Sequence, residues 1–347
     1  MIIKIGNKSI GAGEKCLIVF EAGATHHGLE EALEMVKLSA EAGADAIKFQ
    51  TIIADEIMSQ EAKENNMIKF SSSQGIKQES IYNALKRREL NFDEWRIIRE
   101  YCKKNNILFI STPSGFETLE WLINLKADAI KISKSDINFF PLVEMAAKSK
   151  LPIILDAREK FEEVNKCIEI CNQEGNNNVI IMHCPSGYPA EYSGIHLSSI
   201  LMIKNIFNVP VAFSDHSVGK NICIAALTLG ACMIEKTITL RRLESEVEQF
   251  MSLIPDEFSD FIESIRTVEE SLGDPRIIFN SRVNLENKRS IFIKHDISKG
   301  SYIKFQDLIF QRPGNGVSVA DLDKIIDKKI MKDYKQGEKL KFQDVSN

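Results

Sequence analysis

Two lysines stand inside runs that are otherwise apolar: Lys48 in AIKFQT (46–51) and Lys131 in AIKIS (129–133). An unpaired ammonium is costly to bury, so each must face a carboxylate or an anionic ligand. Two such lysines point to a pocket for a phosphate or carboxylate; the alternatives are a structural ion pair or a side chain that snorkels to water. Ser111 and Thr112 close the run ILFIST (107–112) and either add hydroxyl donors to the same anion or simply end a strand. FSDHS (213–217) gathers Ser214, Asp215 and His216. A neutral imidazole there suits a divalent metal, with Asp215 orienting it, or serves as an ordinary hydrogen-bonding residue. Glu21 follows LIVF (17–20) directly and reads as a base, a metal ligand or a lysine partner. Gln50, Lys134 with Asp136, Asp156 with Arg158, and Glu235 with Lys236 also fall at the ends of apolar runs, whereas His183 beside Cys184 reads as structural.

What these residues share is position. Eight short β-rich runs precede residue 240: LIVF, AIKFQT, ILFIST, AIKIS, PIILDA (152–157), VIIMHC (179–184), VPVAFSD (209–215) and MIEKTIT (233–239). Helical periodicity fills most of the gaps, as with Leu29, Leu33, Val36 and Ala40, and glycines such as Gly43 and Gly230 close the helices. No GxGxxG turn follows the first run, so the pattern predicts an α/β fold of the (β/α)8 TIM-barrel type in preference to an open doubly wound sheet. In such a barrel the active site lies at the C-terminal ends of the strands, where all of these polar residues would meet.

The remaining segments fit around that barrel. Residues 2–16 read as a hairpin capping the barrel bottom, and the polar stretch 54–82 is too long for a plain connection and reads as an active-site lid. A helix is expected over about 255–272, closing a barrel domain at 1–272. Residues 273–288 read as a linker, and 289–347 as a small second domain with strands around IFIK and LIF and a helical segment near 320–329.

A chain of 347 residues with 44% hydrophobic and 27% charged residues has the profile of a globular protein, and a net charge of -5 leaves no basic surface for nucleic acid. The seven cysteines lack CxxC or zinc spacing and read as reduced thiols. No apolar run reaches membrane-spanning length and no leader pattern is visible, so a cytoplasmic location is expected.

EAGATHHG (21–28), EAGADAIKFQT (41–51), FISTP (109–113), AIKIS (129–133), IMHC with GYP (181–189), FSDHS (213–217), LGACMIEK (229–236) and QRPGNG (311–316) together resemble the bacterial sialic acid (N-acetylneuraminate) synthase family. That family includes legionaminate and pseudaminate synthases and a spore coat polysaccharide branch, and it carries a C-terminal antifreeze-like (SAF, β-clip) domain. The resemblance implies condensation of phosphoenolpyruvate with an N-acetylated hexosamine, releasing phosphate, with manganese or magnesium as a Lewis acid. It implies that Lys48 and Lys131 anchor phosphoenolpyruvate with Thr112 and Ser214. Glu21 and Gln50 would stand near metal or acceptor, Ser186 and Tyr188 would contact substrate, Asp136 would be the acceptor-side carboxylate, and His216 would bind metal. Arg312 would reach the active site of a partner subunit, which implies a domain-swapped homodimer.

Some positions depart from that pattern. The family's second metal histidine is Thr237 here, and a hydroxyl is a poorer ligand. The Ser-Thr-Gly after the fifth strand is Asp156, Ala157 and Arg158, where the added carboxylate repels phosphate unless Arg158 offsets it. Lys134 and Ser135 replace Ser and Gly, and ESEVEQF (244–250) replaces a Gly-Pro-Asp loop, with Glu248 its nearest acidic residue. Two other functions therefore stand beside the synthase: a catalytically impaired homologue that binds a sugar or a partner synthase, and a Schiff-base aldolase using Lys131 or Lys134.

Overall fold

The computed structural model describes residues 1–23, 25–72, 75–158, 160–242, 248–273 and 284–346. The chain divides into two compact units, Met1–Gly273 and Asp274–Asn347. The first opens with an antiparallel hairpin, β1 (Ile2–Ile5) and β2 (Lys8–Gly11). Eight parallel strands then close a barrel in chain order: β3 (Leu17–Glu21), β4 (Ala46–Thr51), β7 (Leu108–Pro113), β8 (Ala129–Ile132), β9 (Ile153–Asp156), β10 (Val179–His183), β11 (Val211–Asp215) and β12 (Met233–Thr237). Between β4 and β7 comes an antiparallel excursion, β5 (Met67–Ser72) with β6 (Gly75–Ser80). The expected eight-stranded parallel barrel is therefore present.

Strand residues alternate between the two faces of the sheet. Along β4, Ala46 joins the cluster inside the barrel while Ile47 and Phe49 pack outward against the helices. Along β12, Met233 is inside and Ile234 outside. The same alternation sends Glu21, Lys48, Gln50, Thr112, Lys131, Asp156, Ser214 and Glu235 inward. It sends Ser111, His183, Asp215 and Lys236 outward. The inner cluster continues into the leading hairpin, whose Ile3, Ile5 and Ile10 pack with Leu17, Ile154, Ile180 and Met233 and fill the N-terminal end of the barrel.

Outside the strands, the helix Leu29–Ala42 stops at Gly43, which adopts φ +91°, a left-handed value that favours glycine. The helix Phe92–Lys104 starts from a capping box between Asn91 and Glu94 and buries Trp95 and Ile98. The last barrel helix, Pro255–Leu272, buries Phe258, Phe261, Ile262 and Ile265. Segment 54–82 is more ordered than its polar composition suggests, with helices Ala54–Ile57 and Gln60–Asn65 leading into the β5–β6 hairpin. All seven cysteines are buried and unpaired, and no helix among the described residues is long and apolar enough to cross a membrane.

His26 is fully buried, with its ring edge-on to Phe49 at 5.8 Å and to Trp95 at 6.3 Å. Neither ring nitrogen has a hydrogen-bond partner among the described residues. Burial, helped by the charge of Arg88, pushes its pKa from 6.5 down to about 3. The folded state therefore prefers the neutral ring, so stability is intact above pH 6.5 and is lost as pH falls from 6.5 towards 3, by ~1.4 kcal/mol per pH unit. Denaturant unfolding across this window should show a slope smaller by that amount in His26→Phe than in the wild type, the remainder belonging to other groups such as His216; an unchanged slope would show that His26 contributes nothing to the acid sensitivity.

The second unit has its own core of Ile291, Ile293, Ile303, Leu308, Val317, Ile325, Ile330, Tyr334 and Leu340. Its antiparallel pair is β13 (Ser290–Ile293) with β14 (Leu308–Gln311), at the runs expected to be strands. The helical segment expected near 320–329 is a shorter 3-10 turn over Val319–Lys324. Residues 274–283 of the expected linker lie outside the described residues.

Candidate active site

A cavity of about 540 Å³ opens at the C-terminal ends of the barrel strands. Its wall includes Glu21, Lys48, Gln50, Thr112, Lys131, Asp136, Ser186, Tyr188 and His216, together with Asp156, Arg158, Cys184, Glu235 and Glu248. Ile57, Ile81 and Leu85, contributed by segment 54–82 and the helix Ile81–Lys86, supply an apolar part of the wall. Ser214 lies just beneath it and donates a hydrogen bond to Glu235 Oε1 at 2.8 Å. Arg312 belongs to the second unit and is exposed there.

The floor is built from strand register. Pairing of β3 with β4 sets Glu21 beside Lys48, and pairing of β11 with β12 sets Ser214 beside Glu235. Lys48 forms an ion pair with Glu21 and approaches Glu235 Oε1 at 3.7 Å. Lys131 donates to the same Glu235 oxygen at 3.1 Å. One carboxylate thus holds two ammonium groups together, which answers the desolvation cost that made both lysines conspicuous. Burial opposes ionisation of Glu235, but Lys131 and Lys48 outweigh it and bring its pKa down to about 2. Lys48 is pushed down to about 8 by burial, only partly offset by Glu235. Burial also disfavours the charge on Lys131, yet Glu235 raises its pKa above the ordinary value. That direction favours the ammonium, whereas a Schiff-base lysine reacts as the neutral amine.

His216 stacks on the Tyr188 ring, with centroids 4.8 Å apart, and its Nε2 lies 3.6 Å from Cys184 Sγ. Burial, with Arg158 and Lys131 adding to it, lowers its pKa to about 3, so the imidazole is neutral across the physiological range. Its Nδ1 has no hydrogen-bond partner among the described residues. Asp215 does not orient this ring as the sequence suggested. On the outward face of β11, its carboxylate instead receives Lys236 Nζ at 2.8 Å, the Ser217 N–H at 2.8 Å and Cys223 Sγ at 3.1 Å.

Ser111 also points away from the cavity, donating to the Phe49 carbonyl at 3.0 Å and lying 2.8 Å from the Thr51 hydroxyl. It is therefore no donor to an anion in the barrel mouth. His183 lies 2.6 Å from the Ile195 carbonyl and is structural, as expected.

On the opposite wall Asp136 accepts a hydrogen bond from Ser133 Oγ at 2.5 Å, and burial raises its pKa despite that bond. Glu248 is likewise raised by burial, with Arg88 and Lys48 opposing. Its negative charge is the main reason that Tyr188 holds its proton more tightly, burial adding to the effect. Of the ESEVEQF run, residues 244–247 lie outside the described residues.

A bound dication needs several converging oxygen, nitrogen or sulfur ligands. Among the described residues no group of three or more His, Cys, Asp or Glu side chains is arranged to hold one. Glu21 is taken up by Lys48, Glu235 by Lys131 and Ser214, and Thr237, beside Glu21 in register, offers only a hydroxyl. These side chains do not make the ligand set that the sequence resemblance implies.

Residues 35–276 match the NeuB family. The chain belongs to the NeuB family. Among relatives, the pseudaminic acid synthase of Campylobacter jejuni is 34% identical, with 98% of each chain covered. The N,N'-diacetyllegionaminic acid synthase of Legionella pneumophila is 30% identical over 98% of this chain and 97% of its own. The solved structure of the N-acetylneuraminic acid synthetase of Leptospira borgpetersenii superposes with a TM-score of 0.71 at 28% identity, covering 83% of this chain and 98% of that one. The family match ends at residue 276, at the start of the second unit, whereas the alignments with these relatives run across nearly the whole chain; the barrel is the part that carries the clustered lysines.

Proposed function

We propose that this NeuB-family chain condenses phosphoenolpyruvate with the open-chain aldehyde of an N-acetylated hexosamine to give a nonulosonic sugar acid. The observation that carries the reading is the pair of buried lysines that share Glu235, Lys48 pairing with Glu21 as well, in the wall of one cavity. Such a floor attracts a small polyanion, because an incoming phosphate or carboxylate gains charge-assisted hydrogen bonds in a low-dielectric site.

In the reaction, C3 of phosphoenolpyruvate forms the new bond to the aldehyde carbon, and the displaced carbonyl pair becomes an oxyanion that takes up a proton. Water adds at C2 and loses a proton, and phosphate then departs with cleavage of the C–O bond. Lys48 and Lys131 hold the anion, with Glu21 fixing Lys48, and Thr112 and Ser186 add hydroxyls. Asp136, which lines the cavity and whose pKa burial raises, is the proposed donor to the aldehyde oxygen. Gln50 and Tyr188 contact the acceptor.

Phosphate release by the purified protein, given phosphoenolpyruvate, manganese and a panel of N-acetylated hexosamines, tests the proposal. Sugar-dependent release that fails in His216→Ala and Lys131→Ala supports a synthase and names its acceptor class. No release from folded protein across the panel would sink the synthase reading in favour of the binding role that Thr237 suggests.

The second unit is proposed to be the antifreeze-like domain, with its exposed Arg312 completing the cavity of a second copy. Mixing inactive Lys131→Met and Arg312→Ala proteins should then restore activity, since about a quarter of the sites in randomly exchanged dimers carry neither change. Mixtures that stay inactive despite subunit exchange would rule out supply of Arg312 across subunits, and a fully active Arg312→Ala protein would place Arg312 outside the site.

A further inference from the structure

Arg158 is a fixed cation inside the cavity, in a place where the resembling family carries a small residue. Its guanidinium is gripped by the buried Asp156: Nε lies 3.1 Å from both carboxylate oxygens, and Nη2 donates to Oδ2 at 2.7 Å. Nη1 donates to the Pro185 carbonyl at 3.3 Å. A guanidinium has five N–H groups, so this grip fixes the plane and leaves donors for a ligand.

The cavity wall also carries His216, more than nine-tenths buried and with Nδ1 lacking a partner among the described residues. The resemblance to the sialic acid synthases implies a metal histidine where this chain has Thr237 and a small residue where it has Arg158.

We infer that Arg158, braced by Asp156, supplies together with His216 the positive and hydrogen-bonding surface for the anionic substrate, so that the substrate binds without a divalent metal. The inference rests on the synthase reading for the identity of the anion. Its physical basis is independent of that reading: planar guanidinium groups recognise phosphate and carboxylate through paired N–H donors, and a guanidinium held in place loses little entropy on binding. Asp156 is a positioning residue, and its carboxylate keeps the guanidinium from swinging out to solvent.

The test is calorimetric titration of phosphoenolpyruvate into chelator-treated protein, with and without added manganese. The wild type should bind equally well in both conditions, within about twofold. Arg158→Ala should weaken binding by roughly a hundredfold, and Arg158→Lys should recover only part, because an ammonium lacks the paired donors. Because Arg158→Ala leaves a buried carboxylate unpaired, the double variant Asp156→Asn/Arg158→Met serves where the single variant is unfolded, and it should show the same loss. Manganese raising wild-type affinity tenfold or more, or a folded variant binding like wild type, would overturn the inference while leaving the synthase proposal intact. Metal-free, Arg158-dependent binding without turnover on any sugar would support the inference while sinking the synthase.

Discussion

Replacing Lys131 with methionine should reduce sugar-dependent phosphate release by roughly a thousandfold, the loss seen when a preorganised electrostatic donor is removed from a reaction centre. It should also cost ~3–5 kcal/mol of stability, because Glu235 would keep its burial and lose the neighbour that donates to it at 3.1 Å. The two effects are separable. A Lys131→Met/Glu235→Gln double variant removes both charges and should recover most of the stability, as measured by denaturant unfolding, while staying inactive. Activity returning with stability would show that Lys131 matters only for folding. A single variant as stable as wild type would show that Lys48 alone satisfies Glu235.

Lys236→Met should be at least as destabilising, also ~3–5 kcal/mol, yet for a reason unconnected with chemistry. Lys236 and Asp215 are both fully inaccessible and pair at 2.8 Å on the outward faces of β12 and β11, with Lys236 also donating to the Ser217 carbonyl. Without the ammonium, Asp215 retains the Ser217 N–H and Cys223, too little to offset a buried carboxylate. Adding Asp215→Asn should rescue the melting temperature. A small effect of the single variant would mean that water reaches this layer.

The contrast between these lysines explains how much of the molecule could be read from its sequence. Each barrel strand was visible as an apolar run, since strands buried on both faces have no polar side to blur the signal. Lys48 and Lys131 stood out for the same reason. Glu235 was visible at a strand end but received no role, although its parity with Met233 places it inside the barrel. The same rule would have turned Ser111 and Asp215 outward. Alternation is a local property, and applying it strand by strand would have recovered the floor without any coordinates.

Other parts depend on contacts that no local rule supplies. Ile57, Ile81 and Leu85 reach the cavity because segment 54–82 folds back over the mouth, and their mostly polar surroundings conceal this. Arg158 was read only as a possible offset to Asp156; its grip on that carboxylate through Nε and Nη2 is a matter of tertiary geometry. The raised pKa of Glu248 likewise depends on its burial, which sequence does not disclose.

The isoleucines of the leading hairpin have a kinetic meaning as well as a structural one. Ile3, Ile5 and Ile10 pack into the N-terminal end of the barrel, opposite the end at which the cavity lies. A vessel open only at the top fills from the bottom. On the proposed reading, a molecule held by Lys48 and Lys131 should arrive before its co-substrate and leave after it, an order that product-inhibition kinetics would reveal, and the plug on the far side of the barrel from the chemistry would be its cause.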